Sequence, residues 1–261
     1  MSSATMNRIA ANPFDLTGKV AMVTGSRTGL GQAIAIALSQ AGASIVGVDR
    51  GPADETRAAI EAQGGAFLPV TADLSTTAPL PAIVQSALDR FGALDILVNN
   101  AGIIRRADAL DFTEEDWDAV VDVNLKSAFF LAQAAARAML AGGRGGKIIN
   151  IASMLSFQGG IRVASYTSAK SGLMGLTKLL ACEWAARGIN VNAIAPGYMA
   201  TNNTAALRAD AERNGQILGR IPAGRWGAPA DLGGAAVFLA SDASAYVHGI
   251  TIPVDGGWLA R

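Results

Sequence analysis

The sequence predicts an α/β fold, a doubly wound parallel sheet with helices on both faces. Three observations carry that reading. Short apolar runs alternate with helical patterns of roughly ten or more residues, which is the rhythm of βαβ units. A glycine-rich turn, Thr24-Gly25-Ser26-Arg27-Thr28-Gly29-Leu30-Gly31, joins the first run to the first helix. No linker, repeat or shift in composition divides the chain, so residues 16–261 read as one domain behind a tail at 1–15.

Residues 19–24 form an apolar run that stops at glycine, as a buried strand does. In 29–40, Leu30, Ile34 and Leu38 recur at helical spacing, and Gly42 follows as a stop. A second strand is expected at 43–48 and a second helix at 53–63, ended by Gly64-Gly65. Strand 67–71, helix 80–91 and strand 94–98 continue the alternation. A long helix over 113–140 opens at Thr113, with acids in its first turn to meet the helix dipole. Glycines at 142–146 turn the chain into strand 147–151. The helix bearing Tyr166 reaches about 187, and strands follow at 189–194 and 250–254. Residues 198–220, rich in Asn, Ala, Arg and Asp, exceed a bare connection and read as a helical lid over a substrate.

Composition narrows the function. The chain has 261 residues, and its 21 Lys plus Arg balance 21 Asp plus Glu. Without a basic field, nucleic acid and anionic membrane are not expected as partners. No run of about 18 apolar residues suits a membrane span, and residues 1–12 lack the pattern of a secretory signal. A single cysteine, Cys182, and a single histidine, His248, leave no intrachain disulfide and no zinc cluster of the usual kind. Both read as structural. The expected location is the cytoplasm, with chemistry that needs no metal.

Tyr166 and Lys170 stand at i and i+4 on one helix, so an ammonium can lie beside a phenol. A free tyrosine titrates near ~10, and a neighbouring cation favours the phenolate. Ser153, upstream, adds a hydroxyl donor that can converge on the same carbonyl. The glycines at 25, 29 and 31 allow backbone to approach a pyrophosphate at a helix N-terminus. A strict Gly-x-Gly-x-x-Gly is absent because Ile34 takes the third place, and no Gly-Lys-Ser/Thr follows, which excludes a phosphate-transfer loop. Asp49 ends the second strand, where a carboxylate accepts bonds from ribose hydroxyls, so NAD is expected over NADP. Arg27 and Arg50 stand near enough to reach a 2'-phosphate instead.

Taken together, Thr24-Gly25-x-x-x-Gly29-x-Gly31, Asn99-Asn100-Ala101-Gly102, Ser153 with Tyr166-x-x-x-Lys170, and Pro196-Gly197 resemble the short-chain dehydrogenase/reductase family. The resemblance runs from about residue 16 to 261 and implies a Rossmann-type sheet. It implies Tyr166 as general acid/base, Ser153 as the donor to the substrate oxygen, and Lys170 as the group that lowers the phenol's pKa and holds the nicotinamide ribose. Asn124 would anchor a proton-relay water. The phosphate loop (Gly25, Arg27, Thr28, Gly29, Leu30, Gly31) with Asp49, Asp73, Leu74, Asn100, Ala101 and Gly102 would hold the adenosine half of the cofactor. Pro196, Gly197, Met199 and Thr201 would border the nicotinamide. The family also implies a homotetramer, formed through the long helices and the C-terminal strand.

Residues 102–108, 151–162, 195–204, 220–227 and 254–261 are similar to a branch of the family that acts on sugar acids. That implies exchange of ketone and hydroxyl on a 3-deoxy-2-keto sugar acid. A carboxylate substrate needs a cation, and Arg105, Arg106 and Arg162 are the candidates, unranked by sequence. Gln158, Tyr198, Asn202 and Asn203 are candidates for sugar hydroxyls. Trp117 and Trp184 read as packing, and Trp258 as adjacent to the lid or part of an interface. The alternatives are a related reductase of a 4-deoxy-5-ketouronate, a polyol or a steroid, and a catalytically silent NAD-binding subunit.

Overall fold

A computed structural model describes residues 12–261. Residues 1–11 of the expected tail lie outside the described residues. The end of that tail is anchored, since Pro13 accepts from Ala243 N at 3.0 Å and Leu16 is fully buried.

The strands are β1 (Val20–Thr24), β2 (Ser44–Asp49), β3 (Phe67–Thr71), β4 (Ile96–Asn99), β5 (Gly146–Ile151), β6 (Ile189–Pro196) and β7 (Thr251–Val254). They form one parallel sheet in the order β3-β2-β1-β4-β5-β6-β7. Every residue of β1, β4 and β6 is buried, as strands covered on both faces must be. The order reverses between β1 and β4, which opens a crevice at their carboxyl ends.

The helices are α1 (Gly29–Gln40), α2 (Asp54–Glu61), α3 (Leu80–Phe91), α4 (Glu114–Val121), α5 (Ser127–Ala141), α6 (Ala164–Trp184), α7 (Ala205–Ala209), α8 (Ala211–Leu218) and α9 (Gly233–Ala240). One face of the sheet buries Ile34 and Leu38 of α1, Ile60 of α2 and Leu239 of α9. The other buries Ile83 of α3, Leu131 of α5 and Leu180 of α6.

Two elements depart from the sequence expectation. The long helix over 113–140 is interrupted by a wide π turn at Asp122–Lys126. Asn124, buried in that turn, binds the backbone of Ile103 at both ends of its amide, and the widened turn carries its side chain there. Helix α9 lies in a stretch that carried no expectation from sequence and opens on Gly233-Gly234. A Cβ on Gly233 would meet Ala37 Cβ at 2.9 Å, so the glycine lets α9 lie close to α1.

A buried polar ladder ties α6 to the sheet centre. Asn99 Nδ2 donates to Asn150 Oδ1 at 2.9 Å, and Asn150 Nδ2 donates to Thr177 Oγ1 at 2.9 Å. Replacing Asn150 by Ala removes both bonds of the ladder, leaving Asn99 only the Ala128 carbonyl and Thr177 only the Leu173 carbonyl. We expect a loss of about 1–3 kcal/mol in urea unfolding, and an unchanged midpoint would contradict this role.

Candidate active site

The phosphate loop lies at the reversal point. Thr24 Oγ1 accepts from Asn100 N (3.0 Å) and Ala101 N (2.9 Å), and Asn100 Nδ2 donates to Thr24 O at 2.8 Å. The end of β4 is thereby fixed to the end of β1. Gly31 packs under this joint, where a Cβ would come within 2.1 Å of the Gly25 carbonyl oxygen. Gly29 has φ +61°, and Thr201 covers it from the lid side, its Cγ2 being 3.7 Å from where a Cβ would stand.

The first turn of α1 fits a pyrophosphate. Thr28 is extended at the N-cap and its side chain makes no capping bond, and no acidic residue stands in that turn. Its orphan amides and the positive end of the helix dipole suit an anion. At the end of β2, Asp49 accepts from Arg27 N (3.2 Å) and Arg50 N (2.8 Å) and lies 3.5 Å from the Arg27 guanidinium. Asp73 is exposed, and the bond its carboxylate accepts from Ser75 N (2.9 Å) holds it below the usual carboxylate range. The Leu74 side chain is buried in the core, so a cofactor contact from this residue would come from its backbone.

Ser153 follows β5 and caps a short turn, accepting from Leu155 N at 3.1 Å. Tyr166 and Lys170 stand in the first two turns of α6. Lys170 is 3% exposed and lies 5.8 Å from the Tyr166 ring centre, while its ammonium donates to the Ile151 carbonyl. Burial lowers its pKa to about 8. The phenol of Tyr166 is pushed up by burial, opposed by the nearby Ser153 hydroxyl and the Arg106 guanidinium. In the protein alone no lowering of the phenol by Lys170 is seen. The ammonium is turned to a carbonyl and is itself driven toward neutrality, so desolvation prevails at the phenol.

Asn124 uses Oδ1 to accept from Ile103 N (2.8 Å) and Nδ2 to donate to Ile103 O (2.9 Å), leaving one bonding position free at each end of the amide. Gly102 rests against it, with Asn124 Oδ1 3.3 Å from a Cβ at that glycine.

The three arginines, alike in sequence, differ in place. Arg105 pairs with Asp116 at 3.1 Å, and Arg162, at φ +62°, pairs with Asp108 at 3.4 Å. Arg106 forms no ion pair among the described residues. Its Nη2 donates to the Asn203 carbonyl at 3.4 Å, and its charge reaches Tyr166. Asn202 and Asn203 are exposed on the lid's first turn. Pro196 ends β6 and Gly197 follows it, and Met199 is buried, bridging to Gly227. Tyr198 is packed edge-on against Trp226 (5.4 Å) and Trp258 (4.8 Å), more a wall than a free hydroxyl. Among the described residues no helix is long and apolar enough to cross a membrane, and no cluster of His, Cys, Asp and Glu is placed to hold a metal ion.

A dinucleotide crevice with a tyrosine, a lysine and a serine at its mouth defines a nicotinamide-dependent oxidoreductase acting on CH–OH groups. Residues 25–259 match the family described as Enoyl-(Acyl carrier protein) reductase. The chain is 63% identical over 248 residues to 2-dehydro-3-deoxy-D-gluconate 5-dehydrogenase of Escherichia coli K12, covering 95% of this chain and 98% of that one. It is 62% identical over 250 residues to the Dickeya dadantii enzyme of the same name, covering 96% and 99%. A crystal structure of an Agrobacterium tumefaciens protein with bound NADP superposes with a TM-score of 0.91 at 61% identity, over 96% of this chain and 100% of that one. The chain belongs to the short-chain dehydrogenase/reductase family.

Lys170 offers a direct check on the electrostatics. Its folded pKa, about 8, lies below the ordinary 10.5, so the unfolded chain binds more protons between those values. Stability from this group therefore rises with pH from about 8 toward 10.5. Lys170→Met should remove up to about 1.4 kcal/mol per pH unit from the slope of unfolding free energy between roughly pH 8 and 10. Identical slopes for the two proteins would contradict the buried charge.

Proposed function

We propose that the protein is a 2-dehydro-3-deoxy-D-gluconate 5-dehydrogenase, also described as 2-deoxy-D-gluconate 3-dehydrogenase, working in uronate (pectin) breakdown. The observation that carries the reading is the Tyr166 phenol acted on by Ser153 and Arg106, with the buried Lys170 ammonium 5.8 Å from its ring. The shared name of the relatives supports the substrate.

The nicotinamide cofactor supplies or accepts the hydride. In oxidation the substrate hydroxyl gives its proton to the Tyr166 phenolate as its carbon loses hydride, and in reduction Tyr166 returns the proton to the forming alkoxide. Ser153 donates to that oxygen, where charge develops. Lys170 holds the nicotinamide ribose, and Asn124 uses its free amide positions for a relay water. Arg106 binds the substrate carboxylate, since Arg105 and Arg162 are already paired with Asp116 and Asp108. Gln158, Tyr198 and Asn203 shape the sugar side.

We assign NAD as the preferred cofactor on the carboxylate of Asp49 at the end of β2. The Arg27 guanidinium at 3.5 Å softens that charge, and the A. tumefaciens protein holds NADP, so NADP is accepted more weakly. A cytoplasmic homotetramer completes the reading. Trp117, Phe130 and Leu179, at 40%, 40% and 48% exposure on α4, α5 and α6, support burial between subunits.

The test is one kinetic series, with NADH oxidation followed on 2,5-diketo-3-deoxygluconate beside 5-ketouronates. Tyr166→Phe should bind NAD normally and lose at least about 10²–10³ in turnover. Arg106→Ala should raise KM by more than Arg105→Ala or Arg162→Ala does. Substantial activity in Tyr166→Phe, or a KM unmoved by any arginine change, would sink the assignment.

A further inference from the structure

One C-terminal side chain joins the separate parts of the sugar side. Trp258 is 4% exposed on a short turn, Trp258–Ala260. It packs with Met154, next to Ser153, and with Ile217 and Ile221 at the lid's end. The Arg220 guanidinium lies 4.0 Å over its ring. Its turn is held rigidly. Asp255 accepts from Gly257 N (2.8 Å) and Leu259 N (2.9 Å), and Arg261 donates to the carbonyls of Gly219 (2.6 Å) and Arg220 (3.2 Å).

The indole Nε1 donates to Gln158 Oε1 at 3.2 Å. An indole nitrogen can only donate, so the amide of Gln158 must present its oxygen here. Its Nε2 is then the other end of the amide, with no hydrogen-bond partner among the described residues. A free glutamine could rotate to offer either a donor or an acceptor. A glutamine held by an indole offers a donor alone.

We propose that Trp258 is a specificity-determining positioning residue: it locks the Gln158 amide so that the site selects substrates presenting an acceptor oxygen, a ketone or carboxylate, at that point. A hydroxyl can satisfy the amide only through its lone pairs. A substrate group that needs an acceptor there is refused, which is how a fixed polar group discriminates. The inference rests on the reading of Gln158 as a substrate contact.

The experiment is a double-mutant cycle with Trp258→Phe and Gln158→Leu, measuring kcat and KM for the sugar acid, with NAD affinity and melting temperature as controls. Trp258→Phe should raise KM about five-fold, the worth of one oriented hydrogen bond, with a much smaller change in kcat. In the Gln158→Leu background the same change should cost nothing further. Losses that multiply would mean that Trp258 acts by packing alone, and would overturn the proposal. A harmless Trp258→Phe beside a damaging Gln158→Leu would overturn it too. If Gln158→Leu leaves KM unmoved while turnover stays dependent on Tyr166, the contact reading of Gln158 falls but the dehydrogenase reading stands. Gln158→Glu guards against a misfolded Trp258→Phe. It keeps an acceptor for the indole yet faces substrate with oxygen, and should raise KM more than Gln158→Leu, whereas a smaller effect would contradict the proposal.

Discussion

Taking an ammonium out of water costs several kcal/mol unless hydrogen bonds and geometry restore part of its solvation. Lys170 is buried in this way at the carboxyl end of β5, its ammonium on the Ile151 carbonyl. Around it the chain is fixed by neighbours that have few alternatives. Ser156 Oγ donates to the Lys170 carbonyl at 2.7 Å, joining the turn after Ser153 to the helix that carries Tyr166. Further along the same helix, Thr177 receives the end of the Asn99–Asn150 ladder. The position of Tyr166 against Ser153 is thus a consequence of how α6 docks.

The same burial sets the charge state of the site. Desolvation pushes the phenol up and the ammonium down, so the protein alone favours a neutral tyrosine and weakens the lysine's charge. Arg106 works in the opposite direction on the phenol, and it is also the arginine left without a carboxylate partner among the described residues. A group that holds an anionic substrate and favours the phenolate serves both binding and proton transfer.

Much of the sheet was legible in sequence. Residues 29–40, 67–71 and 80–91 fall where periodicity and glycine stops placed them, because short β-branched runs and amphipathic helices write their period directly. The π turn at 122–126 was not, since the partner that Asn124 meets there, Ile103, is distant in sequence. Helix α9 opens on paired glycines, of which Gly233 lies close against Ala37 of α1, a contact made by the fold. The site divides the same way. Tyr166 and Lys170 share a helix face and announce themselves. The ranking of three arginines depends on Asp108 and Asp116, and the orientation of Gln158 on Trp258, and these pairings are made by the fold.

Burial holds the Tyr166 phenol above its ordinary value in the protein alone, and a bound nicotinamide would bring a positive charge that favours the phenolate. Tyrosinate absorbance, titrated in the wild type and in Tyr166→Phe to isolate one residue, measures it directly. The expected midpoint for Tyr166 lies above the ordinary ~10 without NAD and falls when NAD is bound. A midpoint already near neutral in the protein alone, or one that NAD leaves in place, would contradict it.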